Sequence, residues 1–233
     1  MTFVVTFDAA VRATEILLAL AILQQSAEHM VGPRSEQVLF GLRIPFATLL
    51  LAGVAAPMAL VALLGLSLAG LRHFQGPYNG GSDRMGLLIL ACLTGAHLLP
   101  TAELQHLAFG YLAVQVVLSY FISGQVKLFN PDWRNGTALR DVFAFSAYPV
   151  SEDLRGLARR TDQLRFASWA VIGFEVAFPL ALYSQPVLIA ALTVAAGFHL
   201  SNALLFGLNR FVWIWIAAYP SLFWLQQRMM GVW

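Results

Sequence analysis

Apolar residues run along the chain in long blocks separated by short polar breaks. A hydrocarbon core about 30 Å thick needs about 20 apolar residues at helical rise, so each uninterrupted block is a candidate span. Ile44 to Leu71 carries no charge in 28 positions, Met85 to Ala102 none in 18 and Leu107 to Val126 none in 20. Phe166 to Asn209 holds one charged residue, Glu175, in 44 positions, and Ser184-Gln185-Pro186 divides it into two helices. Phe211 to Gln227 is shorter and rich in aromatics. Val11 to Met30 carries Gln24, Gln25 and Glu28 in its second half; it is either a span whose polar face is buried or an interfacial helix. The pattern predicts an all-α integral membrane protein, a bundle of about seven transmembrane helices.

Between Lys127 and Arg165 lies a long polar stretch, too charged to span. Within it, Thr137 to Tyr148 mixes Leu139, Val142, Phe143 and Phe145 with charges, which predicts a short amphipathic helix on the membrane surface or against the bundle. With seven spans, one side carries ten arginines, six of them between 134 and 165, and the other carries Arg34, Arg43 and Arg228. The positive-inside rule then puts the 127–165 stretch and the N-terminus in the cytoplasm. No polar block is large enough to fold separately, so residues 1–233 read as a single transmembrane helical domain.

Composition agrees. Hydrophobic residues are 59% of the chain and charged residues 11%, against about 25% charged in a soluble domain. A net charge of +2 without a basic cluster sets nucleic-acid partners aside. The single cysteine, Cys92, allows no internal disulfide and no cysteine metal set. No two histidines stand at an informative spacing for haem, and no metal site is expected. Asp8, Arg12 and Glu15 interrupt the first apolar stretch, unlike a cleaved signal peptide.

An ionisable side chain at the centre of a span costs about 2.5 to 3.5 kcal/mol, so it faces a partner or a wet cavity. Glu175 sits mid-span in RFASWAVIGFEVAFPLALY. Desolvation disfavours a bare carboxylate there, so a protonated carboxyl or one paired with a base is expected; the plain alternative is a packing hydrogen bond. His199 lies deep in GFHLSNALLFG with Asn202 on the same helical face, and a structural interhelical bond competes there too. Lys127 closes the span ending at Val126, where snorkelling explains it without chemistry. Glu175, His199, Asn202 and the end of the Leu107–Val126 span are expected to share one polar pocket. His29, His73 and His106 fall near the interfaces and are expected to be wetted.

Two loop segments are more specific. FQGPYNGGSDRM (74–85) places Gly76, Gly80 and Gly81 around Pro77 and Asn79, with Ser82 or Asp83 as candidate caps of the following helix. In YFISGQVKLFNPDWRNGTAL (120–139), Pro131 stops the helix, Asp132 is a candidate cap and Trp133 an interfacial anchor.

This second segment resembles the transmembrane domain of vitamin K-dependent gamma-carboxylases and their bacterial relatives, the horizontally transferred transmembrane (HTTM) family. That family carries a Tyr-Phe helix end with a small residue and Gly, then a lysine, then Asp-Trp and a Gly; here these are Tyr120, Phe121, Ser123, Gly124, Lys127, Asp132, Trp133 and Gly136. An acidic residue before Phe-Pro matches Glu175, Phe178 and Pro179, and a Phe-His pair matches Phe198 and His199. The turn Asn79, Gly80, Gly81, Asp83 looks like a loop of bacterial members, so the resemblance covers about residues 74–220. The carboxylases have two adjacent lysines where this chain reads Val126-Lys127, and the spacing to Asp-Trp is one residue longer here.

The resemblance implies a quinone-like lipid as cofactor, with Lys127 as the base that deprotonates its hydroquinone and Glu175 and His199 orienting it. Asn202, Tyr120, Trp133 and Asp132 are then its binding positions. It further implies a bacterial cytoplasmic membrane, membrane lipid as a partner, and redox-linked modification or maturation chemistry, with a small secreted peptide as one possible substrate. A different reading is a non-catalytic membrane subunit that binds lipid or packs against another membrane protein. A transporter is a third, with no inverted repeat to support it.

Overall fold

A computed structural model describes residues 4–73, 81–146 and 152–231. The described residues are helical, without strands, and form two units: residues 1–114 with 210–233, and residues 115–209.

In the first unit, α1 (Phe7–His29), α2 (Arg34–Ala52), α3 (Ala56–His73) and α4 (Ser82–Leu98) form a bundle. The first half of α5 (Ala102–Phe129) and α10 (Asn209–Met229, from Arg210) belong to the same unit. Their ends meet in an aromatic cluster: the Phe7 ring packs edge-on against Phe109 and against Trp224, which is 1% exposed.

The expected span Ile44–Leu71 is in fact parts of two helices. α2 ends on Gly53 in the left-handed conformation (φ 74°), whose N–H bonds back to the Leu49 and Leu50 carbonyls, and Ala55 is also left-handed (φ 50°). A helix end leaves its last carbonyls without intrahelical partners. Here Arg12 of α1 supplies them, donating to Leu50 O at 2.7 Å and Leu51 O at 2.6 Å. Because the donor comes from another helix, the turn Gly53-Val54-Ala55 needs no polar residue, and hydropathy passes straight over it.

Five polar residues of α1 point inward, while Asp8 and Glu28 are exposed. Thr14, Glu15, Gln25, Ser26 and His29 are all buried, as expected of a helix turning its polar face into a bundle. Glu15 accepts from Arg12 at 2.9 Å and pairs with His97 of α4 at 2.5 Å. His29 is not wetted: it is 5% exposed, stacks on Phe40 at 3.6 Å, and contacts Glu36 and Arg210 at 2.7 Å each. Most of the 74–85 turn lies outside the described residues. At its end Gly81 is the N-cap of α4, and neither Ser82 nor Asp83 caps the helix; Asp83 instead accepts from Gln25 at 2.8 Å.

The second unit holds the rest of α5, the four-residue α6 (Pro131–Arg134), α7 (Thr137–Phe145), a 3-10 segment (Glu152–Arg159), α8 (Thr161–Ala177), its 3-10 continuation (Phe178–Tyr183) and α9 (Gln185–Phe206). The division at Ser184-Gln185-Pro186 and the amphipathic helix starting at Thr137 are both observed. α9 is apolar all round, with Val194, Leu200 and Leu204 exposed. A helix of that kind needs an apolar surrounding.

Among the described residues, four helices are long and apolar enough to cross a membrane: α2, α5, α8 with its continuation, and α9. The residues between 56 and 71 form a shorter apolar helix.

Candidate functional site

Tyr120, Ser123 and Lys127 follow one another at three- and four-residue steps, and so line one face of α5. Lys127 Nζ reaches across to α8 and donates to Glu175 Oε2 at 2.6 Å and Oε1 at 2.8 Å, and to Ser123 Oγ at 2.6 Å. The side chains are 14% and 5% exposed. At such a separation the gross attraction is about 6 kcal/mol for an effective dielectric near 20, while desolvation opposes it by several kcal/mol per ion. The net contribution is therefore small, but deleting one partner costs about 3–5 kcal/mol because it strands the other charge. The pair also satisfies the expectation that an intramembrane carboxylate finds a base.

Gly124 makes the approach possible. A Cβ there would lie 2.7 Å from Val176 N and 2.8 Å from Glu175 Cβ, so α5 and α8 touch backbone to backbone beside the ion pair. One helical turn toward the N-terminus, Tyr120 Oη meets His199 Nε2 of α9 at 2.8 Å, and the Tyr120 ring stacks on Phe178 at 4.1 Å. Both Tyr120 and His199 are 4% exposed.

The turn after α5 docks on α8. Asn130, not Asp132, is the N-cap of α6 and accepts from Asp132 N at 2.9 Å; Pro131 opens that helix instead of merely ending α5. Trp133 O accepts from Ser168 at 2.6 Å and Arg134 O from Trp169 at 3.0 Å. Gly136 is left-handed (φ 83°), with its Cβ position 2.8 Å from Arg165 Cα. Thus the turn is held by its glycine and carbonyls, and the Trp133 ring lies 5.1 Å from Lys127 Nζ in cation–π contact.

Of the expected site residues, Lys127 with Glu175, Tyr120 with His199, and Trp133 are brought to the same stretch of α5. Asp132 is exposed, and its side chain makes no hydrogen bond among the described residues. Asn202 is half-buried; its backbone carbonyl accepts from Leu208 N and Gly207 N at the end of α9, and its side chain makes no hydrogen bond among the described residues. Neither joins the two pairs by a hydrogen bond. On the flank of the same helices an open apolar groove of ≈ 750 Å³ runs along Val117, Phe121, Trp169, Gly173 and Leu180; Lys127 and Glu175 do not line it.

Sequence reading did not single out Ser123 or Gly124 as site residues. The signal was their spacing: Ser123 stands four positions before Lys127, and a glycine in a long apolar helix marks a close approach.

Apolar helices carrying a largely buried charged pair define a helical membrane domain with a polar site in its interior. The HTTM domain matches residues 100–226, more than half of the chain, and the chain belongs to that family. The match includes Tyr120, Lys127, Glu175 and His199 and leaves the Asn79–Asp83 turn outside. No curated protein and no solved structure matches the chain.

Proposed function

We propose that this HTTM protein binds the polar head of a quinone-like lipid against α5 and exchanges a proton with it at Lys127. The observation that supports this reading is the ion pair Lys127–Glu175, 2.6 Å apart and nearly dry. The polar groups suit a hydroxyl or carbonyl head: an amine and the Ser123 hydroxyl that can donate and a carboxylate that accepts, with Tyr120 and His199 one turn beyond Ser123. When bound, such a lipid supplies redox chemistry. The protein's part is the proton. Lys127 accepts one only after passing its own to Glu175 across the 2.6 Å contact, which removes both charges from a low-dielectric site. The neutral Nζ then takes the proton of a phenolic hydroxyl, and the negative charge left behind faces the new ammonium.

A second reading rests on the same contact. Nζ already has Ser123 and both Glu175 oxygens, a full set of partners for an ammonium, and this favours a clasp that holds α5 to α8 in a non-catalytic subunit.

In this proposal the chain sits in a bacterial cytoplasmic membrane with residues 131–165 on the cytoplasmic side, where six arginines lie. The N-terminal side depends on the number of crossings before that stretch. One unbroken span over 44–71 puts the N-terminus in the cytoplasm; separate crossings by α2 and α3, which the Gly53 turn favours, put it outside. Eight crossings then replace seven. A small secreted peptide or another membrane protein remains the class of partner for the maturation chemistry.

Lys127→Arg separates proton exchange from clasping, since arginine keeps the charge opposite Glu175 but is no proton acceptor near neutral pH. On the proposed function, the lipid extract of purified wild type contains a stoichiometric quinone-like lipid, and a bound naphthol probe shows phenolate absorbance. Lys127→Arg keeps the fold and loses the phenolate signal. No quinone-like lipid in the wild-type extract, or the same phenolate signal in Lys127→Arg, overturns it in favour of the clasp.

A further inference from the structure

A second buried polar centre lies in the first unit, in a part of the chain that the family match does not cover. Arg43 of α2 is 7% exposed. Its Nη1 donates to Gln25 Oε1 at 3.1 Å, its Nε has no hydrogen-bond partner, and no carboxylate among the described residues lies within ion-pair distance. A buried guanidinium without a direct ion-pair partner is expensive, and buried charges are ordinarily paired. Beside it is a cavity of ≈ 30 Å³ whose wall includes Arg43, Gln25, Ser67 of α3, and Ser82 and Asp83 of α4. The Ser67 and Ser82 hydroxyls are also buried without partners. The first turn of α4 has a glycine N-cap and no side-chain cap, so the positive end of that helix adds to the field.

We propose that this cavity is a binding site for one small monovalent anion of halide size. Arg43 with its unpaired Nε, two serines with unpaired hydroxyls and the first turn of α4 border it, and all can donate. Its volume matches about one or two water molecules, which excludes sulfate, phosphate and lipid headgroups. Asp83 limits the charge it can take. Its carboxylate accepts from Gln25 at 2.8 Å, on the far side of the amide that Arg43 contacts, and it offsets the charge of the guanidinium. Arg43 and Asp83 already cancel, so only the partial positive charge of the helix end and the unpaired donors favour an anion, and they suit a single negative charge rather than a double one.

The test is thermal unfolding of the full-length protein in detergent, titrated with sodium chloride or bromide against sodium gluconate and sulfate at matched ionic strength. Ligand that binds only the folded state raises the transition temperature with saturation. Wild type is expected to show a saturable rise with chloride and bromide and none with gluconate or sulfate. Ser67→Ala/Ser82→Ala, which leaves the guanidinium in place, should need at least about a hundredfold more halide, because two hydrogen bonds to a charge are lost. Arg43→Gln should lose the response. If Arg43→Gln fails to fold, the serine pair decides. No halide response in wild type, meaning that water fills the cavity, or an unchanged response in the double serine variant, overturns the proposal.

Discussion

Gly124→Ala tests how closely the ion pair depends on the contact between α5 and α8. The new Cβ would stand 2.7 Å from Val176 N, 2.8 Å from Glu175 Cβ and 2.9 Å from Glu175 C, all on or next to backbone that cannot rotate away. Non-bonded carbons prefer about 3.5–4.0 Å, so the two helices must separate by about 0.7–1 Å. The same displacement stretches the 2.6 and 2.8 Å contacts of Lys127 to Glu175 beyond good hydrogen-bond length. Overpacking alone costs about 1–3 kcal/mol, and the weakened pair brings the expected loss to about 2–4 kcal/mol. Reversible denaturation in mixed micelles measures it. A cycle with Glu175→Gln gives the coupling: in the Gly124→Ala background, Glu175→Gln should cost clearly less than in wild type. Wild-type stability in Gly124→Ala, or additive losses in the double variant, refutes the reasoning.

Tyr120→Phe removes the 2.8 Å bond to His199 and keeps the ring on Phe178, so it should cost about 1 kcal/mol by the same denaturation; no loss means that the pair is not formed. Cysteine labelling from outside intact cells by an impermeant reagent should reach Val54→Cys in the α2–α3 turn and miss Asn135→Cys; protection of Val54→Cys or labelling of Asn135→Cys contradicts the proposed crossings. Below the α7 helix, the Arg155 guanidinium at 2.5 Å holds the exposed Glu152 carboxyl under its ordinary value of 4.5. Because the folded value is lowered, the contact helps fully above pH 4.5 and fades as the pH falls through the lowered value. Hydrogen-exchange protection across residues 152–159, relative to the intrinsic rate at each pH, should fall in that range, and a flat profile counts against the contact.

Much of the second unit was legible. The Phe166–Asn209 run shows its break at Ser184-Gln185-Pro186 because proline and small polar residues punctuate it, and Glu175, His199 and Lys127 stand out against an apolar background. Spacing alone could not show that Glu175 chooses Lys127 while His199 chooses Tyr120, since partner choice depends on how α5, α8 and α9 rotate against one another. Asp132 looked like a cap because it follows proline, yet Asn130 reaches the free N–H first. In the first unit less could be read. The Gly53 turn is hidden by having its carbonyls satisfied from Arg12, and His29 looked interfacial by position alone, though Glu36, Phe40 and Arg210 enclose it.

The pairing of Lys127 with Glu175 also constrains how the protein is made. α5 leaves the ribosome well before α8, so its lysine reaches the membrane while its counter-charge is still unsynthesised. A lone charge in a span is unfavourable by about 2.5–3.5 kcal/mol if central, less at a helix end where the amine can reach headgroups. Lys127, near the end of α5, can wait in that way; Glu175, mid-span in α8, cannot, and as a carboxylate it enters the bilayer at low cost only if α5 is already beside it. The order of the two charges along the chain thus sets an order of assembly, in which α8 inserts against a lysine already in place.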